Sequence, residues 1–303
     1  MNNEAIIWPV ERASGSWHEW SAYTYPEFIE KVYEPLRARH PEYITRESIG
    51  FDETGKIEMF AYTFTPENFT ETVYLQSGVH AREEDAWTTL ARMMTMITEE
   101  YEGDEYLTEL REHCRFYVVP VVNVWGITEI PLGLRKDPNV NGVNLNRDIL
   151  ERSQGETRAV CGFIERAVKK GKIDFALDYH TTVNSSYGDY MLTVWTGSAN
   201  EHVAKNVLMT LAEKNKNERT EEYYEKREVK RGELRLPFVG DSKNPGTYVW
   251  WWREIGIPGA TVEYSDFVFD TERNTDRTNR FCLENMLSQL ISHFYALRKD
   301  AEK

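Results

Sequence analysis

The feature that most constrains the fold is a set of short apolar runs that alternate with helical patterns. CRFYVVPVVNV (residues 114–124) is nearly continuous in apolar residues, as expected for a strand that is covered on both faces. ETVYLQSGV, KIDFALDYHTT and ATVEYSD are also of strand type, and helical patterns such as EDAWTTLARMMTMITEEY follow several of these strands. The alternation predicts an α/β fold, with a central mixed, mostly parallel twisted sheet that carries helices on both faces.

The size and composition of the chain favour one soluble unit. No repeat or linker interrupts the 303 residues, so we expect a single domain over residues 1–303. A net charge of -14 argues against nucleic acid and against anionic membranes as partners. No apolar stretch reaches the roughly 18 residues of a membrane span.

The N-terminus and the cysteines bear on location. The first residues, MNNEAIIWPVERASGSWHEW, lack a basic start followed by an apolar block, and the 3 cysteines are scattered, as is typical of buried free thiols. We therefore expect a cytoplasmic protein, with export by an unconventional route left open. The sequence makes no prediction of the oligomeric state.

The segment SGVHAREEDAW (residues 77–87) carries the first candidate metal ligands, His80 and Glu83. Carboxyl ends of parallel strands meet at one edge of a sheet, so His180, at the end of FALDYHTT, is a candidate third ligand. Two histidines and a glutamate form a known hydrolytic zinc set, with one position left for water. For the first pair alone, the alternative is that Glu83 only favours the N-terminus of the next helix.

Four further residues would complete a hydrolytic site. Glu263 lies inside the apolar strand pattern of PGATVEYSD, where a carboxylate is costly unless it is paired or serves as a base. Arg147, which follows Asn146 in NGVNLNRDI, offers a planar fork for a substrate carboxylate, and Asn146 would add a hydrogen bond. Arg135, in LGLRKD, is a candidate for stabilising an oxyanion. The alternatives are an outward-facing strand residue for Glu263 and solvated surface charges for the arginines.

Several motifs occur in the order of one known family. They are His80-Ala81-Arg82-Glu83, Arg135 in LRK, GVNLNRD, His180 in LDYHT, and Gly246 and Trp250 followed by Glu263 in IPGATVEY. With these motifs the chain resembles the zinc metallocarboxypeptidases of the M14, carboxypeptidase A-like, family. The resemblance spans roughly residues 20–300.

The resemblance implies a zinc-dependent enzyme that removes C-terminal residues from peptides with a free terminal carboxylate, using one zinc ion per chain. It implies zinc ligands (His80, Glu83, His180), a general base (Glu263), an oxyanion stabiliser (Arg135), carboxylate-binding residues (Asn146, Arg147, Arg82), and a residue of the pocket for the last side chain (Tyr248). A bulky aromatic residue at Tyr248 would disfavour a large aromatic terminal residue of the substrate.

The chain departs from the family at two places. Asn144 stands where the family usually has an aspartate beside the first zinc histidine, and a neutral amide polarises an imidazole less. Asp178, two residues before His180, is a candidate to contribute instead. FVGDSKN, the segment before Gly246, lacks the family's substrate-covering tyrosine.

Two other functions remain open on the sequence alone. The same zinc site is used by deacylases of N-acyl amino acids and by hydrolases of peptidoglycan or γ-glutamyl linkages, which share the fold. A non-catalytic binding protein is the other alternative, and the intact ligand set with Glu263 argues against it.

Overall fold

A computed structural model describes residues 5–182, 190–194, 201–215, 238–241, 244–265 and 275–301. In this part of the chain eight strands form one sheet, in the order β1-β2-β4-β3-β5-β8-β6-β7. The strands are β1 (Ile44–Phe51), β2 (Glu58–Phe64), β3 (Glu71–Ser77), β4 (Cys114–Val119), β5 (Phe175–Thr182), β6 (Tyr190–Val194), β7 (Phe238–Asp241) and β8 (Gly259–Ser265).

In the described part of the chain, α-helices precede, connect and follow these strands. They are α1 (Tyr25–Phe28), α2 (Glu34–Arg39), α3 (Glu84–Glu99), α4 (Glu105–His113), α5 (Val124–Glu129), α6 (Gly155–Lys170), α7 (Glu201–Asn215), α8 (Tyr248–Glu254) and α9 (Asp276–Ala301). A π-helical turn, Ile29–Tyr33, joins α1 to α2, so residues 25–39 form one continuous helical run. Among the described residues, no helix is both long and apolar enough to cross a bilayer.

The sheet is mixed, as predicted. The central strands β4, β3, β5 and β8 are all parallel, whereas β1, β2 and β4 pair in antiparallel fashion and β6 runs antiparallel to β8. The carboxyl ends of β3, β5 and β8 therefore lie side by side at one edge. In parallel sheets this edge is where ligands bind.

Helices cover both faces of the sheet, which confirms the predicted layering. On one face Tyr74 of β3 contacts Phe163 of α6 and Trp252 of α8. On the other face Phe175 of β5 stacks on His293 of α9. Because successive side chains of a strand point to opposite faces, burial on both faces accounts for the nearly continuous apolar strands of the sequence.

The Gly- and Pro-bearing stretch at residues 126–146 begins inside a helix. Helix α5 extends to Glu129, with Val124 and Ile127 buried and the Asn123 side chain accepting a hydrogen bond from the Gly126 amide. The two apolar side chains supply a buried helical face that the Gly and Pro content of the stretch obscures. The rest of the stretch is irregular up to a 3-10 turn at Leu145–Arg147.

Candidate metal centre

The three predicted ligands lie at the carboxyl-terminal edge of the central strands. His80 and Glu83 occupy the turn between β3 and α3, and His180 is near the end of β5, the strand that pairs with β3. Glu83 and His180 are fully buried, and the His80 side chain is 12% exposed. The sheet therefore brings together residues that are about 100 positions apart in the chain.

Glu83 lies between the two imidazoles. Its Oε1 is 2.8 Å from His80 Nδ1, and its Oε2 is 2.9 Å from His180 Nδ1. The two rings lie 5.0 Å apart at an angle of 67°. One ligand atom from each residue lies within 4.8 Å of the others, close enough for one cation to contact all three.

The geometry shows which groups the Glu83 side chain contacts. It stands at the N-cap position of α3, but its side chain accepts no capping hydrogen bond from that helix. Its Oε2 accepts instead from the Thr181 amide on β5, at 3.2 Å. The carboxylate is thus aimed at the two histidines, and it makes no capping hydrogen bond to the helix N-terminus.

The far nitrogen of each imidazole has an acceptor of its own. His80 Nε2 lies 3.2 Å from the amide oxygen of Asn144, and His180 Nε2 lies 2.8 Å from the Asp178 carboxylate. An imidazole that donates from Nε2 has its lone pair at Nδ1. In that neutral tautomer, which metal binding requires, both Nδ1 lone pairs would face the side where the Glu83 carboxylate lies.

The electrostatics of the cluster suit a cation. Burial alone would raise the pKa of Glu83, but the facing imidazoles of His80 and His180 lower it well below its usual value. Burial lowers the pKa of His180, but the carboxylates of Asp178 and Glu83 outweigh it and raise that pKa well above the usual value. A compact group of two imidazoles and an ionised carboxylate therefore favours positive charge at its centre.

His180 Nδ1 provides a direct test of the fit to a metal. This atom is buried and has no hydrogen-bond partner among the described residues, although Glu83 Oε2 is 2.9 Å away. A buried polar atom without a partner is costly, and a metal bond would satisfy it. Two nitrogens and one carboxylate oxygen are donors that zinc accepts, so the residues fit this ion.

Glu263 stands beside the cluster on the next strand. The register pairs it with His180 across β5 and β8, which puts both side chains on the same face of the sheet. Burial raises the pKa of the half-buried Glu263 carboxyl to about 7, and Glu83 contributes to the rise, while His180 and His80 oppose it. Glu263 is thus a carboxyl group that exchanges a proton near neutral pH, and it is not the outward-facing strand residue of the alternative.

Asn146 and Arg147 are tied to the cluster through Asn144. The Asn144 amide oxygen, which contacts His80, also accepts from the Asn146 main-chain amide at 2.9 Å. The Asn146 side-chain oxygen accepts from the Tyr248 amide at the start of α8, at 3.2 Å. Arg147 is exposed, and its guanidinium donates to the Asn146 carbonyl at 2.6 Å.

Arg135 is not brought to the cluster. Its buried guanidinium donates to the main-chain carbonyls of Ser21, Tyr23 and Ile127, at 2.7, 3.1 and 3.1 Å. These bonds hold the 3-10 segment at His18–Ala22 and the end of α5 in place. The expected oxyanion role is therefore not supported, because the charge is used to link main-chain segments.

Arg82 lies between the cluster of candidate ligands and the irregular stretch that contains Asp137. Its guanidinium approaches Glu83 Oε1 at 3.4 Å and also forms an ion pair with Asp137. Arg82 and Arg135 line a common cavity of about 570 Å³ with Glu84. Arg82 is thus adjacent to the candidate ligand Glu83, and Arg135 lines the same cavity.

Tyr248 does not line an open pocket. Its side chain is fully buried, 6.4 Å from the Trp252 ring between centroids, and its hydroxyl has no hydrogen-bond partner among the described residues. The expected contact with the substrate's last side chain is therefore not visible in this part of the chain. Residues 242–243 of FVGDSKN lie outside the described residues.

Sequence reasoning gave too little weight to two partners of the site. Asp178 shares a face of β5 with His180 because the two are separated by one residue, and this spacing was the available signal. Asp137 pairs with Arg82, and no sequence pattern links the two.

Comparisons with known proteins agree with this geometry. The sequence profile of the zinc carboxypeptidase family matches residues 29–285. Carboxypeptidase B of Bos taurus is 30% identical over 112 residues, which cover 36% of this chain and 26% of that protein. Carboxypeptidase O of Bos taurus is 23% identical over 295 residues, which cover 85% of this chain and 75% of that protein.

Solved structures extend the likeness to the fold. Carboxypeptidase A from Helicoverpa armigera superimposes with a TM-score of 0.69 at 14% identity, covering 97% of this chain and 79% of that structure. At such low identity the match speaks for the shared fold alone.

We predict that zinc stabilises the protein through this cluster. Binding at 100 times the dissociation constant adds about 2.7 kcal/mol to the free energy of unfolding. Thermal unfolding with zinc and with excess chelator should give a clearly higher Tm for the zinc-loaded wild type. His180→Ala and Glu83→Gln should lose that difference, each compared with its own chelated form.

The control for this measurement is His40→Ala, which changes a histidine that contacts Glu99 at the far end of α3 from the cluster. It should keep the full zinc-dependent shift. An equal shift in His180→Ala and the wild type would show that zinc binds elsewhere.

Proposed function

The chain belongs to the zinc carboxypeptidase family, and on that premise we propose that it is a metallocarboxypeptidase that hydrolyses the C-terminal peptide bond of peptides. The observation that carries the proposal is the convergence of His80, Glu83 and His180, with Glu263 beside them in register on β8. We assign one zinc ion per chain to this cluster, and a peptide with a free terminal carboxylate as the substrate.

Zinc, when bound, supplies a Lewis acid and lowers the pKa of water. His80, Glu83 and His180 would hold it, and the acceptors behind the two imidazoles fix their orientation. These residues are rigidly positioned because the ends of two buried strands carry them.

Glu263 is assigned the proton transfers. As a carboxylate it takes a proton from the attacking water, and as a carboxylic acid it gives that proton to the leaving amine. A pKa of about 7 suits both roles near neutral pH, because both protonation states are then populated. This tuning argues against the alternative of a non-catalytic binding protein, which has no need of it.

Arg147 and Asn146 are assigned to the substrate's terminal carboxylate. Arg147 is exposed and projects from the turn that Asn144 joins to His80. The Asn146 side chain is fixed through its oxygen by the Tyr248 amide, so its amide nitrogen is the group we assign to the carboxylate. We assign Arg82 to the same end of the site, and we assign no role in the chemistry to Arg135.

Replacing Glu263 tests the assignment of the base. Glu263→Gln keeps the size and polarity of the side chain but removes its ability to accept a proton. We expect kcat to fall by about 10²–10⁴, while the zinc content stays at the wild-type level. The measurements are steady-state kinetics on a blocked dipeptide and metal analysis of the same sample.

Glu58→Gln is a matched control, because Glu58 is an exposed glutamate of another strand, β2. It should leave kcat and zinc content unchanged. Normal turnover by Glu263→Gln would defeat the proposed role of this residue.

Capping the substrate tests the assignment of the carboxylate site. A charge-assisted contact contributes about 1.5–3 kcal/mol, and 1.4 kcal/mol corresponds to about tenfold. Wild-type kcat/KM should therefore be at least tenfold lower for the amide-capped dipeptide than for the free acid. In Arg147→Ala the preference for the free acid should largely disappear.

Arg158→Ala, which removes an exposed arginine paired with Glu53, should keep the wild-type preference. Equal cleavage of free and capped peptides by the wild type would contradict exopeptidase action. Adding N-acyl amino acids and γ-glutamyl peptides to the panel separates the alternative substrates. Each class of compound presents a different acyl group to the same zinc site.

A further inference from the structure

The two histidines of the candidate metal centre are supported by different groups. His80 Nε2 faces a neutral amide, Asn144, at 3.2 Å, whereas His180 Nε2 faces a carboxylate, Asp178, at 2.8 Å. The shorter contact belongs to the charged acceptor, as expected for a charge-assisted hydrogen bond. The support of the two ligands is therefore unequal.

Asp178 is a buried carboxylate whose contact in the described structure is with His180. It is fully buried on β5, and its Oδ1 has no hydrogen-bond partner among the described residues. A buried carboxylate is costly unless it is paired. Its ion pair here is with His180, which is also fully buried.

The backbone fixes this arrangement. Asp178 and His180 are on the same face of one strand, and β3 and β8 pair with that strand on its two sides, opposite Gln76 and Thr261 at the level of Asp178. Asn144, by contrast, stands at the start of a short 3-10 turn that follows an irregular loop. The more rigid support thus belongs to His180.

We propose that Asp178 is the positioning residue of the metal centre: it holds His180 by its Nε2, makes it the stronger imidazole ligand and supplies the carboxylate support that Asn144 lacks at His80. The inference rests on the proposed zinc site. A carboxylate acceptor raises the basicity of a ligating imidazole more than an amide does. The affinity for zinc should therefore depend more on residue 178 than on residue 144.

Zinc affinity distinguishes this role from a simple contribution to core stability. The dissociation constant is measured by competition with a chromophoric chelator, on folded protein, for the wild type, Asp178→Asn, Asn144→Ala and Asn144→Asp. Asp178→Asn keeps the shape and an acceptor oxygen. We expect it to weaken zinc binding about 10- to 100-fold, and Asn144→Ala to weaken it less.

Asn144→Asp is a further variant for the same zinc-affinity measurement, and it should leave the core undisturbed because Asn144 is only partly buried. It should tighten zinc binding in the wild-type background and should restore part of the loss when it is combined with Asp178→Asn. Failure of Asn144→Asp to tighten binding would contradict the claim that the amide leaves His80 the weaker ligand.

Thermal unfolding of the chelated proteins provides the second readout. If Asp178 only stabilised the core, Asp178→Asn would lower the Tm of the metal-free protein. It would also leave the zinc dissociation constant within about twofold of the wild-type value. That pair of results would overturn the inference. Absence of tight zinc binding in the wild type would instead overturn the proposed function, so the two failures are distinguishable.

Discussion

The site depends on one buried carboxylate that lies between two imidazoles. Glu83 is fully buried, and an isolated buried carboxylate would cost several kcal/mol. The negative charge of Glu83 is compensated by His80, His180 and the Thr181 amide. All three groups are positioned by the ends of β3 and β5. The parallel pairing of these two strands therefore fixes the ligand geometry before any metal binds.

The same edge of the sheet also positions Glu263, the group proposed for proton transfer. Glu263 stands in register with His180, so the distance between these two residues is set by the pairing of β5 with β8 and not by a loop. Burial near a second carboxylate keeps its pKa at about 7, which is the range in which a carboxyl group exchanges protons with water and amines at neutral pH. The surrounding apolar core thus supplies both the rigidity and the tuning.

The proposed substrate-binding side is built differently. Arg147 lies on a short turn that is held to His80 through Asn144 and to α8 through Asn146. Gly246 lies directly against this turn, where a Cβ atom would approach the Arg147 carbonyl oxygen to 2.7 Å. The turn and the start of α8 therefore pack as one unit, and this contact explains why a glycine is required before α8.

The sequence was sufficient to predict the parallel core and the three ligands, because strand periodicity and strand ends are local signals. The side chain of Glu83 was ambiguous until the position of β5 was known. The main-chain contacts of Arg135 were not predictable, because its partners Ser21 and Tyr23 are more than 100 positions away and no local pattern indicates such contacts. The burial of Tyr248 was not predictable for a similar reason, since it depends on how α8 packs on the sheet.

The sharpest test of the central claim is diffraction at the zinc absorption edge from crystals of the zinc-loaded protein. The account predicts a single strong anomalous peak at about 2.0–2.2 Å from His80 Nδ1, His180 Nδ1 and a Glu83 oxygen. A peak at another site, or bonding through Nε2 of either histidine, would contradict it.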